Sequence, residues 1–462
     1  MILKSGWNRR SFLSALGALG GTLFAPVELR AGSKKKSGKL SEDPVDGHPI
    51  VPIASGLGST GNVYAELGVT PLINIVGTVT VIGGSVMKPE VMELMRQGNQ
   101  HFVLINELET AAGRYIEKLC KTPPGYTGLV TGGVAAGIVV GYAGMLTEDI
   151  EPRMEACPDL TGFPKTEVII QKAHRNNFDH QVRQTGVKLV EVETKDQMMN
   201  AINDKTLAMH YINIQSNLGK VSGPEMIEIA KKANIYTFND ASADVPPKER
   251  LWEYPAQGWD FVAFSGGKDI CGPQASGILI GKEKLIRWAQ MNMSPQENRI
   301  GRSSKVGKET IFALLKALEL FVNQDYDAVV KGYDQRAETI SKAVAKFGVT
   351  PLPREFNPQA LGNVTPHYTW QIDPAKVNLT AIDVMKQLAD TKPVGIGSQN
   401  ADAGGMRGRW PEGTQPQQGE HRRNRPQRDP HVFGFAMWQL KEGEDKIIAD
   451  RLVEIFSAAP KA

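Results

Sequence analysis

Cysteine is scarce in this chain. Cys120, Cys157 and Cys271 are odd in number and widely spaced, which excludes a disulfide framework and any paired-thiol knuckle or redox motif. Net charge is scarce too, +3 over 462 residues, so the total implies no strong attraction to nucleic acid or to a membrane surface. No run reaches the roughly 20 strongly apolar residues that a membrane span needs. No internal repeat is visible, and no cluster of residue types suggests a metal site. The apolar share of 41% and the charged share of 22% are those of an ordinary globular chain. Its length allows two or three domains, and disorder or a coiled coil is set aside as the main architecture.

What is present begins at the N-terminus. Asn8-Arg9-Arg10-Ser11-Phe12-Leu13 precedes a weakly hydrophobic, glycine-rich run that ends at Phe24. The pattern resembles a twin-arginine export signal rather than a membrane anchor. The expectation is a signal segment over 1–31 and an exported, periplasmic protein. Phe24-Ala25 and Arg30-Ala31 are both imperfect cleavage sites, so an uncleaved leader stays open. Residues 32–63, rich in Gly, Ser, Lys, Asp and Pro, read as a disordered tether.

Beyond Tyr64 the chain alternates. Leu129-Val130, Val168 to Ile170, Val187 to Val192, Ala208 to Ile214, Ile235 to Phe238, Phe261 to Phe264 and Ile278 to Ile280 read as strands. Met226, Ile229, Ala230 and Ala233 recur at helical spacing between two of them. Such alternation predicts an α/β large domain with a mostly parallel sheet over 64–320, with an N-terminal arm. Glycines at 77, 83 and 84 suggest backbone in special conformations or close to another surface. After a strong helix carrying Ile311, Leu314, Leu315 and Leu318, a smaller α+β domain is expected over 321–462, with an exposed Gly-, Pro-, Gln- and Arg-rich insertion at about 403–430.

Four features fall in order at the C-terminal ends of predicted strands, where ligands lie in open α/β sheets. Thr131-Gly132-Gly133 opens a helix whose free N–H groups suit a phosphate, although a plain turn has the same residues. His174 follows the strand ending at Ile170 and is placed to cover a flat ring or move a proton, if it is more than a surface histidine. Asp240 ends a buried strand and needs a cationic or hydrogen-bonding partner; a helix N-cap is the other use of such a residue. Lys268 stands in Ser265-Gly266-Gly267-Lys268 between two apolar strands, where desolvation lowers a lysine's proton affinity and lets it bond an aldehyde covalently. Cys271 reads as a small buried thiol rather than a nucleophile.

These segments carry a resemblance. Leu67 to Asn74, Thr131 to Ala136, Ser216-Asn217, Asp240, Phe264 to Lys268 with Gly272-Pro273-Gln274, and Arg302 to Lys308 are similar to fold-type I pyridoxal-phosphate enzymes. Within them the likeness is to the bacterial selenocysteine synthase (seryl-tRNA selenium transferase) and glucosaminate-phosphate ammonia-lyase-like group. The resemblance implies a three-layer large domain, pyridoxal 5'-phosphate as cofactor, and a homodimer or larger homo-oligomer. It implies Lys268 as covalent anchor and catalytic base, Asp240 on the ring nitrogen, and Thr131, Gly132, Gly133, Ser265 and Asn217 as further cofactor contacts. His174 would lie near the ring face, and Arg302, Lys305 and Gln274 would bind substrate.

The implied reaction is α,β-elimination or β-replacement on a small amino acid or amino sugar acid. Selenium transfer, transamination and racemisation on the same scaffold remain alternatives, as does an exported binding protein without catalysis. An export signal stands where the selenium transferases carry a tRNA-binding domain, so nucleic acid is not expected as a partner.

Overall fold

The computed structural model describes residues 56–354, 362–392, 394–397 and 429–460. The expected export segment, the tether up to residue 55 and residues 403–428 of the insertion lie outside the described residues. The chain divides into two compact units, Met1–Leu67 and Gly68–Ala462. In the first, regular turns begin at residue 56, inside the expected tether. The reason is local: the Glu66 carboxylate accepts from the Gly58 N–H, the Thr60 N–H at 2.8 Å and the Thr60 hydroxyl, while Asn62 caps the helical turn Val63–Glu66 by accepting from the Ala65 N–H.

The second unit starts with a short strand, β1 (Leu72–Ile73), and two amphipathic helices, α1 (Pro89–Gly98) and α2 (Ile105–Cys120). There follow β2 (Tyr126–Thr131), α3 (Val134–Thr147), β3 (Glu167–Gln171), β4 (Lys188–Val192), β5 (Thr206–Ile212), α4 (Gly223–Ala233), β6 (Tyr236–Asp240), β7 (Phe261–Ser265), β8 (Gly277–Lys282) and α5 (Glu283–Met291). These seven strands form one sheet in the order β2-β8-β7-β6-β5-β3-β4. The pairs from β7 through β4 are parallel, and β8 runs antiparallel to both its neighbours. Every residue of β5 is buried, which is why that strand reads as a continuous apolar run rather than an alternation.

Helix α3 is buried from Ala136 to Thr147, as a helix apolar all round must be. Glycines make the close approach possible. A Cβ at Gly141 would lie 2.8 Å from the Phe238 ring, and one at Gly144 would lie 2.7 Å from the Ala289 nitrogen on α5.

Helix α6 (Lys308–Asn323) packs Ile311, Leu314, Leu318 and Phe321 into the same core as the sheet. A second core follows, built from α7 (Tyr326–Val344), β9 (Val349–Pro351), β10 (Tyr368–Ile372), α8 (Ala381–Ala389), β11 (Gly395–Ile396), β12 (Val432–Phe435) and α9 (Glu444–Ala458). Its antiparallel sheet has the order β12-β10-β9, with the rings of Trp370, Phe433 and Phe435 packed against one another. One expected boundary changes here. Ile73 and Ile75, assigned from sequence to the large domain, are buried in this second core. The cause is the parallel pairing of β1 with β11, Leu72 opposite Gly395 and Ile73 opposite Ile396. That pairing ties the arm to the small domain.

Candidate active site

The turn between β7 and β8 is a hairpin, because β8 returns antiparallel and its first pair is Ser265 opposite Gly277. On its far side β8 pairs with β2, and there Gly277 stands opposite Thr131. Register alone therefore aligns Thr131, Gly277 and Ser265 across three strand ends. A Cβ at Gly277 would lie 2.7 Å from the Gly133 carbonyl carbon and 2.9 Å from the Val134 nitrogen. Glycine is what lets the β2–α3 turn close over the sheet. Gly133 has φ of 111°, Thr131 Oγ1 donates to the Gly133 carbonyl at 2.9 Å, and no side chain caps α3. The first amides of a buried helix thus face outward at this edge, with the helix dipole behind them.

The hairpin turn holds Lys268. Gly266 N–H donates to the Ser276 carbonyl at 3.0 Å, Gly272 N–H to the Gly266 carbonyl at 2.8 Å, and Cys271 N–H to the Lys268 carbonyl at 2.9 Å. Gly266 and Gly267 leave no room for side chains, since Cβ atoms there would lie 2.3 Å from Ser276 Oγ and 2.6 Å from Gln274 Cα. The arm lies on this turn. Ser85 Oγ donates to the Gly267 carbonyl at 3.1 Å, Gln274 Nε2 donates to the Thr80 carbonyl at 2.9 Å, and a Cβ at Gly84 would lie 2.8 Å from the Gly267 oxygen. Gly84 also has φ of 73°. Gln274, expected to touch substrate, is exposed and joins the turn to the arm.

Lys268 is half-buried. Burial pulls its ammonium pKa below the usual lysine value, and the carboxyl groups of Asp240, Asp269 and Asp244 oppose that pull. Asp240 is 5% exposed at the end of β6, between Ile212 of β5 and Ala263 of β7. Its Oδ1 accepts from the Ser242 N–H at 3.0 Å, a local turn bond. No helix follows directly, so the N-cap alternative falls away.

His174 is placed differently from expectation. Its ring is completely buried, its Nδ1 accepts from the Ile212 N–H at 3.3 Å, and its edge meets the Tyr211 ring at 4.7 Å between centroids. Gly219 covers it, since a Cβ there would lie 2.7 Å from His174 Nε2. A ring enclosed in this way has no open face to lay on a ligand, so its place is in the packing beneath the 213–221 loop. Burial brings its pKa down to about 4. Asn217, on the same loop, is exposed. Arg302 donates to Ser294 Oγ at 3.3 Å and Lys305 is exposed. Their segment reaches the site through the Ser304 carbonyl, 3.1 Å from where a Gly132 Cβ would stand.

Sequence reasoning passed over several groups. Asp244 is buried, accepts from Asn213 Nδ2 at 2.6 Å, and is pushed up to about 7 by burial. Asp269, beside Lys268, is likewise pushed up to about 7. Behind Asp240 the Tyr142 hydroxyl meets His210 Nδ1 at 3.0 Å, and burial holds His210 at about 4 against the pull of Asp240. A carboxylate four residues after Asp240, and a histidine inside an otherwise apolar strand, were the available signals.

A Lys-bearing hairpin turn, an uncapped helix start and a buried carboxylate at the strand ends of such a sheet form the architecture of fold-type I pyridoxal-phosphate enzymes. The chain is an enzyme of that kind, a pyridoxal-phosphate-dependent lyase or transferase. Residues 164–300 match the family model for class-V aminotransferases. The chain is 27% identical to D-glucosaminate-6-phosphate ammonia lyase of Salmonella typhimurium over 340 residues, 71% of this chain and 87% of that protein. A solved structure of D-glucosaminate-6-phosphate ammonia-lyase superposes with a TM-score of 0.69 at 25% identity, covering 86% of this chain and 99% of that one. A 5'-C-glycyluridine monooxygenase-decarboxylase of Streptomyces sp is 25% identical over 343 residues, 70% of this chain and 81% of that protein. L-seryl-tRNA(Sec) selenium transferase of Mannheimia succiniciproducens is 34% identical over 142 residues, 27% of this chain and 30% of that protein.

Proposed function

We propose that the enzyme is a lyase that eliminates a β-substituent from a small amino acid or amino sugar acid. The observation that carries this reading is the alignment of the Lys268 turn with the uncapped start of α3 through Gly277. The residues present fit a phosphorylated aldehyde. The amides after Gly133, with Thr131, Gly132 and Ser265, would hold the phosphate. Lys268 would hold the aldehyde carbon, and Asp240 would face the ring nitrogen. Asn217 is the remaining cofactor contact in this reading. Pyridoxal phosphate supplies, when bound, a covalent hold on the substrate amine and an electron sink.

The chain's own residues do the rest. Lys268, with its basicity lowered by burial, accepts the proton from the substrate α-carbon. The carbon–hydrogen electron pair shifts to form the double bond as the β-substituent leaves with its own pair. Hydrolysis then releases a keto acid and ammonia. Arg302 and Lys305, beside the phosphate loop, would bind an anionic substrate group. His174 has no part in these steps and stabilises the loop above it.

The ammonia lyase relative makes D-glucosaminate 6-phosphate the first substrate to test. Wild-type protein loaded with cofactor is expected to show the visible absorbance of lysine-bound pyridoxal phosphate, and Lys268→Ala is expected to lose it together with turnover. Stoichiometric keto acid and ammonia support elimination. A pyridoxamine form would point to transamination, and an inverted α-centre to racemisation. Absorbance that persists unchanged in Lys268→Ala would overturn the assignment.

We also infer a homodimer exported to the periplasm by the twin-arginine route. The first inference is supported by the exposed apolar run Phe102-Val103-Leu104 beside α2, the second by Arg9-Arg10 and the apolar run after them.

A further inference from the structure

A cavity of about 220 Å³ lies behind the Lys268 turn. It is bounded by Asp269 and Cys271 of that turn, by the end of α6, by Tyr326, Tyr333 and Arg336 of α7, and by Trp438 after β12. Lys268, Asp240, Thr131 and Ser265 do not line it. It is therefore separate from the cofactor seat.

Its polar atoms are unusual. Among the described residues, the buried side-chain atoms left without a hydrogen-bond partner include Asp269 Oδ2 and Trp438 Nε1 of this lining, and the Tyr326 hydroxyl beside them has only Thr365 within reach. A buried polar group left unpaired costs about 1–3 kcal/mol, so such groups on opposite sides of one hollow call for an occupant. An indole N–H only donates, so whatever meets Trp438 must accept. Arg336, which gives one N–H to the Met437 carbonyl at 3.1 Å, and Lys88 of the lining bring positive charge to the same space. Asp269 requires one protonated oxygen at its end, on the occupant or on itself. The hollow exceeds what a single water needs, about 10–15 Å³ by a comparable measure.

We propose that this cavity is a binding site for a small oxyanion, a carboxylate or a phosphate, which joins Trp438 and Tyr326 of the small domain to the back of the Lys268 turn. The site does not depend on the elimination reading. Because the turn carries the candidate anchor, an occupant here would stiffen it from behind without entering the cofactor seat.

The test is calorimetric titration of acetate, malonate and inorganic phosphate into holoenzyme reduced with borohydride, in which the lysine and the phosphate seat are already filled. Should reduction fix no cofactor, the cofactor assignment fails by itself, and the same titration is run on the protein as purified. Saturable binding of at least one anion at one per chain is expected. Trp438→Phe and Tyr326→Phe should each weaken it about tenfold, the worth of one hydrogen bond to a charged group. Absence of saturable binding by all three anions overturns the proposal. So does an affinity unchanged in both variants, or a high-resolution structure with only waters in the cavity after soaking.

Discussion

At the scale of single residues the chain is governed by where it buries charge. Asp244 and Asp269, both held at about 7 by burial, are near Lys268, so the negative charge around that ammonium shrinks as pH falls below neutrality. Glu109 of α2 shows the same burial effect away from the site. It is 2% exposed, accepts from Gln290 Nε2 at 2.9 Å, and is pushed from 4.5 to about 7. Its folded pKa lies above its unfolded value, so its contribution to stability is complete below about pH 4.5 and is lost as pH rises through 7. Relative to wild type, Glu109→Gln should therefore gain about 1–3 kcal/mol between pH 5 and pH 8.5. Urea denaturation at those two pH values measures it, and a difference that does not move with pH contradicts the burial account. His174 and His210, depressed to about 4, act in the opposite sense: they cost stability as pH falls from about 6.5 toward 4.

Among the elements, the contact of β8 with the start of α3 decides whether there is a seat at all. Gly277→Ala places a methyl group against the Gly133–Val134 peptide. Overpacking of this kind costs about 1–3 kcal/mol, and the shift falls on the turn that would hold phosphate. Cofactor affinity, followed by absorbance, should drop on the order of tenfold or more. Gly332 in α7 is the contrast, with nothing within 4 Å of an added Cβ. Gly332→Ala should raise stability by about 0.5–1 kcal/mol through helix propensity and leave cofactor affinity alone. Equal behaviour of the two variants would mean that the seat does not depend on that close approach.

For the whole molecule, the parallel pairing of β1 with β11 couples the arm to the small domain, while Ser85 and Thr80 of the same arm contact the Lys268 turn. The arm thus links both cores to the candidate anchor. Phe102, Val103 and Leu104 lie exposed together at the start of α2, and apolar side chains grouped in this way mark an association surface. In the proposed homodimer, Phe102→Asp should shift the assembly toward monomer by light scattering and make the melting temperature lower than that of wild type, by the stabilisation that association supplied. A wild-type protein that is monomeric at micromolar concentration removes this interface from consideration.

Much of the large domain is legible in the sequence. Strands such as Val168 to Ile170 and Phe261 to Phe264 are short apolar runs, and a local pattern is enough to place them. The lysine, the carboxylate ending β6 and the glycine pair before α3 follow from the same local chemistry. Their alignment does not, because it depends on β8 running antiparallel between β7 and β2 and on register set by close backbone approach at Gly277. Partners distant in sequence decided the rest: Gly219 closing over His174, β11 drawing Ile73 into the second core, and Trp438, Tyr326 and Asp269 meeting around one cavity. Residue type and spacing determined which chemistry this chain carries. Only the tertiary structure decided which of those side chains share a space, since burial, register and unpaired polar atoms are properties of neighbours that the linear order does not contain.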